Sequence, residues 1–599
     1  MVTQLLHVTL YSTVLFTLYR VLPFSVRTIT LIPSVKGAVK LGRRLVAMLY
    51  LACLSRSAAC LLLLTFGIPY ARATQYGWNR SPVQKDEDNV AIHFPDTDEK
   101  LFSPAFLDPA SVSPGFSNGT EGPTDDATLD RFLRSISDSN DWATYHLADF
   151  TSEEGRSFPY VTLSKPSDES DGKLRVWIQG GVHGNEPAGD QAVLALLGKL
   201  DADQNWTASL LDRMEILLFP RYNPDGVFYF QRDLASNVDP NREHVKLARQ
   251  QSIDIKKLLS TFSPHIAVDM HEFTGTRLID GEYKHGMDAL IATGKNLNTH
   301  QDIRDLSESL FADGIAKRLE TAGFRWEPYF TMTRGSPSEI TLAEAGSNPS
   351  LGRNSFGLMQ AVGILTEVRG IRLADQHFQR RVATALTMVS AILDIALENF
   401  DDVYSTIENA VDKFVNGDDD IIVTDYRNPT ERTVPFVDVT NGNLTQVPVN
   451  WLGTTPVTAN LTRTRPEAYL IPRAWSHLAG RLEASGLSVE TLDDGYSGVV
   501  EALTITSASI SPRYYEGAIP VTVTTEPHLT DIDLPPGSFR ISTRQKNAAL
   551  AFVALEPENV DSYVRFNLIP VKKGDEYPIF RELLLLSSSS SSPERSDEL

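Results

Sequence analysis

The sequence predicts an α/β fold built on a layered sheet, followed by a smaller, mostly-β region. Three observations predict it: apolar strand-like runs alternate with helical stretches from about residue 130 to 400, a polar break follows at Asn416-Gly417-Asp418-Asp419-Asp420, and short β-branched runs fill the chain beyond it.

Leu174 to Gln179 reads as a buried strand, and Asp190 to Leu200 as the apolar-faced helix after it. Met214 to Phe219 is a second strand, Glu243 to Leu259 a helix, Ile266 to Met270 a third strand, Ser307 to Ala322 a helix and Val362 to Thr366 a fourth strand. A long helical stretch from Asp375 to Phe400 closes this part. After the break, Ile421 to Val423, Val447 to Val449, Val521 to Thr524 and Ser538 to Ser542 read as strands, with one helix at Ala474 to Ser485. No internal repeat of fixed period is present.

A chain of 599 residues exceeds what one core usually organises. The expected division is an N-terminal extension with a secretory signal (1–73), a flexible leader rich in Pro, Asp, Ser and Gly (74–124), a first domain (125–415), a mostly-β accessory domain (420–581) and a disordered Ser-rich tail (582–599). Arg43-Arg44, the apolar run through Leu61-Leu62-Leu63-Leu64 and Ala71-Arg72-Ala73 follow the order of a secretory signal with its cleavage site. An earlier apolar segment, Leu5 to Leu22, is interrupted by Arg20 and followed by Pro23, so secretion is favoured over a membrane anchor and no stable insertion is expected after processing; Met48 is an alternative start. Five N-x-S/T sequons, at Asn79, Asn118, Asn205, Asn443 and Asn460, fit an exported chain. The ending Ser596-Asp597-Glu598-Leu599 resembles retention signals and gives the lumen of the endoplasmic reticulum as the alternative address.

A net charge of -21 argues against a nucleic-acid partner, because phosphate binding needs clustered Lys and Arg. Both cysteines, Cys53 and Cys60, lie in the N-terminal apolar region, which excludes thiolate chemistry and a Cys-ligated zinc downstream.

Gly180-Gly181-Val182-His183-Gly184-Asn185-Glu186-Pro187 lies between a predicted strand and a predicted helix, where ligands of open α/β sheets gather. His183 and Glu186 offer an imidazole nitrogen and a carboxylate to a metal, and the glycines let the backbone curl close. One such pair alone is weak, since a His-x-x-acid spacing arises about once or twice by chance in a chain of this composition. Further motifs follow in order: Arg221-Tyr222-Asn223-Pro224-Asp225-Gly226, then Arg232 with Asp239-Pro240-Asn241-Arg242, then His265 to Glu272 with His271, then Ile364 to Gly370 with Glu367. The Asn-Pro-Asp-Gly element has a plain alternative as a turn.

Together and in this order, over roughly Asp125 to Phe400, these motifs resemble the M14 zinc carboxypeptidases. The resemblance implies a mixed central sheet flanked by helices and one Zn2+ per chain held by His183, Glu186 and His271. It implies Asp239 as the acid that orients His183, Arg232 as the group that polarises the scissile carbonyl, and Asn241 with Arg242 as the grip on the substrate's terminal carboxylate. Glu367 is then the general base toward a zinc-bound water, and the substrates are the C-termini of peptides or proteins. Glu272, directly after His271, is expected to point away from the metal because side chains alternate along an extended segment.

The family usually carries a tyrosine upstream of its catalytic Glu, and residues 341–360 contain none; Tyr329, Arg353 and Asn354 are the candidates to line the pocket instead. The ordinary reading of Arg334 and Arg353 is a solvated surface position, the other reading being a preference for an acidic terminal side chain. Two other functions stay open at this point: a zinc amidohydrolase acting on small N-acyl amino acids, and a non-catalytic peptide-binding factor of the secretory pathway.

Overall fold

The computed structural model describes residues 83–107, 124–165, 172–333 and 339–583. The signal, Cys53 and Cys60, the sequons at Asn79 and Asn118, Arg334 and the Ser-rich tail with its last four residues lie outside the described residues.

Eight strands form the main sheet: β1 (Ala143–Thr151), β2 (Ser157–Leu163), β3 (Leu174–Gln179), β4 (Met214–Phe219), β5 (Ile266–Thr274), β6 (Ala289–Thr293), β7 (Trp326–Pro328) and β8 (Val362–Ile371). Their order is β1-β2-β4-β3-β5-β8-β6-β7. The centre, β4-β3-β5-β8, is parallel, while β1, β2 and the β8-β6 junction are antiparallel, which makes the sheet mixed as expected. The central strands are buried on both faces and so read as continuous apolar runs. Helices Pro187–Ala202 and Phe378–Glu398 pack on one face, burying Leu194, Leu197, Val382, Leu386 and Val389 against Val176, Ile178 and Val268.

Two helix limits differ from the expectation. The helix placed at Glu243 starts at Gln250, because the buried Glu243 carboxylate accepts hydrogen bonds from the amides of Ala248 and Arg249 and holds the preceding residues in a turn. The stretch from Ser307 starts as one wide turn, Ser307–Ala312, before regular helix Asp313–Thr321.

The described part of the expected leader is ordered. Val90, Phe94, Leu101 and Ala105 are buried, and Asp86 is held by Arg369 and Lys284. The Pro- and Asp-rich composition suggests mobility, but these few apolar residues pack into cores of the main body, and the Asp86 carboxylate finds partners more than 190 positions away in the chain.

Beyond residue 420 the strands are much longer than the β-branched runs suggested. Ile421–Asp438 pairs antiparallel with Leu444–Arg463 in a long ribbon, and Tyr496–Ile510 pairs with Val521–Leu534 in another. The first ribbon runs through prolines 429, 435, 448 and 456, residues that lack the amide hydrogen a ladder uses. A second sheet interleaves the first ribbon with Tyr283–His285, Thr341–Glu344 and Phe330–Met332, and a third, six-stranded sheet collects the remaining C-terminal strands. Tyr469, Ile541, Phe552 and Tyr563 share one apolar core with Trp177, Phe219, Leu259 and Ala267 of the main body.

Candidate active site

The site gathers at the carboxyl ends of β3, β5 and β8. His183 lies in the turn leaving β3, and Glu186 immediately precedes Pro187, the first residue of the following helix. The turn needs Gly184: a Cβ there would stand 1.8 Å from the Gly226 carbonyl carbon, so the loop lies directly on helix Pro224–Tyr229. Asn223 caps that helix, accepting from the Gly226 amide at 2.9 Å, and the buried Asp225 accepts from Ser152 and Arg156. The Asn-Pro-Asp-Gly element is thus the turn that supports the metal loop.

His183 Nδ1 lies 2.7 Å from Glu186 Oε1, His271 Nδ1 lies 2.9 Å from Glu186 Oε2, and the two imidazole nitrogens are 3.0 Å apart. All three side chains are buried. Two ring nitrogens turned on each other and on one carboxylate, away from water, form a donor set that a shared cation satisfies, and two His with one Glu match what zinc prefers. The opposite ring nitrogens are also held: His183 Nε2 lies 3.1 Å from Asp239 Oδ1, and His271 Nε2 lies 2.9 Å from Asp269 Oδ2. Each imidazole thus has an acid facing its Nε2, while its Nδ1 is turned toward Glu186.

A zinc carboxypeptidase family model matches residues 131–265. Carboxypeptidase 2 of Trichophyton tonsurans is 52% identical over 531 residues, covering 87% of this chain and 98% of that protein. The chain belongs to the zinc carboxypeptidase family. Carboxypeptidase 2 of Trichophyton rubrum is 51% identical over 528 residues, with 87% of this chain and 98% of its own covered. A solved metallo-carboxypeptidase from Burkholderia cenocepacia aligns with 46% of this chain and 70% of its own at 17% identity and a TM-score of 0.37, a likeness too loose to add to these relatives. The segment matched by the zinc carboxypeptidase model holds His183, Glu186, Arg232, Asp239, Asn241 and Arg242 but ends before His271, which the sheet brings onto Glu186, and Glu367, which lines one cavity with His183 and Glu186.

That cavity has a volume of about 340 Å³. Arg232 reaches it with Nη1 3.2 Å from His183 Nδ1, while its Nε and Nη2 donate to Asp239 Oδ2 at 3.1 and 2.8 Å. Arg242 donates through Nε to the Tyr515 hydroxyl at 3.1 Å. Asn241 Oδ1 accepts from the Gly352 amide at 2.7 Å, and its Nδ2 is 3.2 Å from His271 Nε2. Glu367 is buried, and its Oε2 has no hydrogen-bond partner. Tyr329 and Arg353 line the cavity as well. Arg353 is 4% exposed, which corrects the expectation of a solvated surface residue; helix Gly352–Leu358 turns it inward. Glu272 points away as alternation requires, bound through both oxygens by Arg381 and by the Ala188 amide.

Burial and the neighbouring charges set the site's electrostatics. Burial alone would raise Glu186, but His183 and His271 hold it below the ordinary carboxylate range. Asp239 is likewise held well down against burial by Arg232 and His183. Glu367 behaves oppositely: burial pushes it up to about 8, with His271 only partly opposing.

Sequence reasoning missed Asp269, although its place two residues before His271 on a strand puts both on one face. It also missed Tyr515 and Glu516, whose carboxylate accepts from the Asp239 amide at 2.9 Å; they stand more than 270 positions from their partners and no local pattern marks them.

Proposed function

We propose that this metallocarboxypeptidase removes C-terminal residues from peptides or proteins using one zinc ion held by His183, Glu186 and His271. The observation that carries the reading is the buried triad with an acid behind each histidine. Zinc, when bound, supplies a Lewis acid that polarises a carbonyl and acidifies water. Glu367 accepts a proton from water and delivers it to the leaving amine; its buried Oε2, without a hydrogen-bond partner among the described residues, is available for that exchange. Arg232 stabilises the charge that develops on the carbonyl oxygen, and Asp239 holds its guanidinium in place. Arg242, steadied by Tyr515, takes the substrate's terminal carboxylate, and Asn241 adds an amide hydrogen through Nδ2.

Identity above 50% to carboxypeptidases across most of the chain, together with a complete base and ligand set, disfavours both the N-acyl amino acid hydrolase and the non-catalytic binding factor. The proposed address is extracellular, after removal of the signal that ends near Ala73. Its support is the exposure of the sequon asparagines Asn205, Asn443 and Asn460. Among the described residues no single helix is long and apolar enough to cross a membrane; the pair Phe378–Glu398 and Phe400–Asn416 passes only jointly, bent by 87°, and packs in the core.

The test is mass spectrometry of a mixed peptide set incubated with protein starting at Thr74, with and without a zinc chelator. Stepwise loss of C-terminal residues, abolished by chelation and restored by zinc, is expected. Intact peptides after exposure to folded, zinc-loaded protein would overturn the reading.

A further inference from the structure

The cavity holds a charge that the hydrolytic steps do not use. Arg353 donates through Nη2 to the Gly346 carbonyl at 2.8 Å, its buried Nε has no partner, and it forms no ion pair among the described residues. Arg221, Arg369, Arg380 and Arg381, buried to a similar degree, each face a carboxylate. A guanidinium removed from water without a paired carboxylate is costly: Glu367 on the same lining attracts it but makes no ion pair with it, and burial lowers its pKa to about 10, which still leaves it charged at neutral pH.

A second arginine, with no ion pair among the described residues, converges on the same place. Arg427, from strand Ile421–Asp438, lines the cavity, and its Nη2 would stand 2.7 Å from a Cβ on Gly346, the residue whose carbonyl Arg353 holds. Glu344, the nearby acid on the lining, is already engaged by the Thr454 amide, the Thr455 hydroxyl and Lys295. The Tyr329 ring, 5.9 Å from the Arg353 guanidinium, adds a partly apolar wall.

We propose that Arg353, assisted by Arg427, lines the pocket for the side chain of the substrate's last residue and selects an acidic one, glutamate or aspartate. The proposal rests on the carboxypeptidase reading above. A side-chain carboxylate supplies the missing counter-charge in the planar geometry a guanidinium binds best. A terminal lysine instead adds a like charge, and a terminal leucine leaves the Arg353 Nε without a partner.

The experiment compares kcat/KM for N-acylated dipeptides that differ only in the last residue: Glu, Gln, Leu or Lys. The zinc-loaded full-length enzyme is expected to favour Glu over Gln by about ten- to a hundredfold, with Lys the poorest. Arg353→Gln should bring the Glu/Gln ratio close to one. Arg427→Ala, at an exposed position where folding is not at stake, should narrow it. Equal turnover of Glu and Gln by the unaltered enzyme, or a preference for Leu or Lys, would overturn the proposal. So would an equal fall for all four substrates in Arg353→Gln, which would make this arginine an anchor for the common α-carboxylate. Absence of turnover on every substrate is a different result: it removes the carboxypeptidase reading and the pocket assignment with it.

Discussion

Glu367 and His271 stand directly opposite each other in the parallel register of β8 and β5. The backbone ladder thus fixes the proposed base beside the proposed third metal ligand, although 96 positions separate them in the chain. Glu367→Gln keeps the shape and the ladder and removes only the proton acceptor. Metal analysis should find zinc retained, and kcat on a peptide substrate should fall by about a hundredfold or more. Near-normal kcat would remove Glu367 from the chemistry.

Asp269 shares a strand face with His271 and approaches its Nε2 at 2.9 Å. Asp269→Asn should loosen the imidazole and weaken zinc affinity by about ten- to a hundredfold. Competition with a chromophoric chelator measures this. Unchanged affinity would show that Asp269 does not orient the ring.

Asp86 ties the ordered part of the leader to the main body through Arg369 and Lys284. Asp86→Leu leaves the buried Arg369 without its carboxylate, while Lys284 keeps Glu87, and should cost about 3 kcal/mol in urea unfolding, with earlier proteolysis within residues 83–107. Burial alone would raise this carboxyl, yet Arg369 and Lys284 hold it below 3.8. Its folded pKa thus lies below the unfolded one, so its stabilisation is complete above about pH 4 and fades as acid protonates it. The variant should show a smaller loss of stability on acidification than the unaltered chain.

Lys256 is buried with its ammonium on the Ser355 hydroxyl at 2.7 Å and no ion pair among the described residues, and burial lowers its pKa from 10.5 to about 7. Between those values the unfolded chain binds the extra proton, so stability should rise with pH across that window. Lys256→Met should therefore stabilise the protein at pH 6, by at most about 5 kcal/mol, and give little gain near pH 10. Urea unfolding at the two pH values is the check; an equal effect at both would mean that the lysine is not desolvated.

A chain ending at Gly417 should fail to give folded enzyme. The C-terminal part supplies Phe552 and Tyr563 to a core shared with Trp177, places Tyr515 on Arg242, and holds the Ser350 amide with Asp561 at 2.8 Å just before Arg353. Circular dichroism and soluble yield decide it. A folded, fully active truncation would make the β region a separable appendage.

The central sheet was legible in the sequence because strands buried on both faces are continuous apolar runs, and the ends of Leu174–Gln179 and Met214–Phe219 fall where the runs end. The three side chains that the structure gathers as a candidate metal site, His183, Glu186 and His271, were reached from the sequence only through the order of several motifs along the chain, since the His-x-x-Glu spacing alone is weak. The long ribbons beyond residue 420 were not, since their strands are exposed along much of their length and interrupted by proline. Sequence alone also could not decide between an arginine in water and one in a pocket. Arg353 is turned inward by packing of Gly352–Leu358 against β8 and by the approach of the Asp561 segment, and Arg427 meets it across a sheet that joins residues from both halves of the chain. Contacts between distant segments leave no local pattern, so charge placement in the pocket belongs to the tertiary structure.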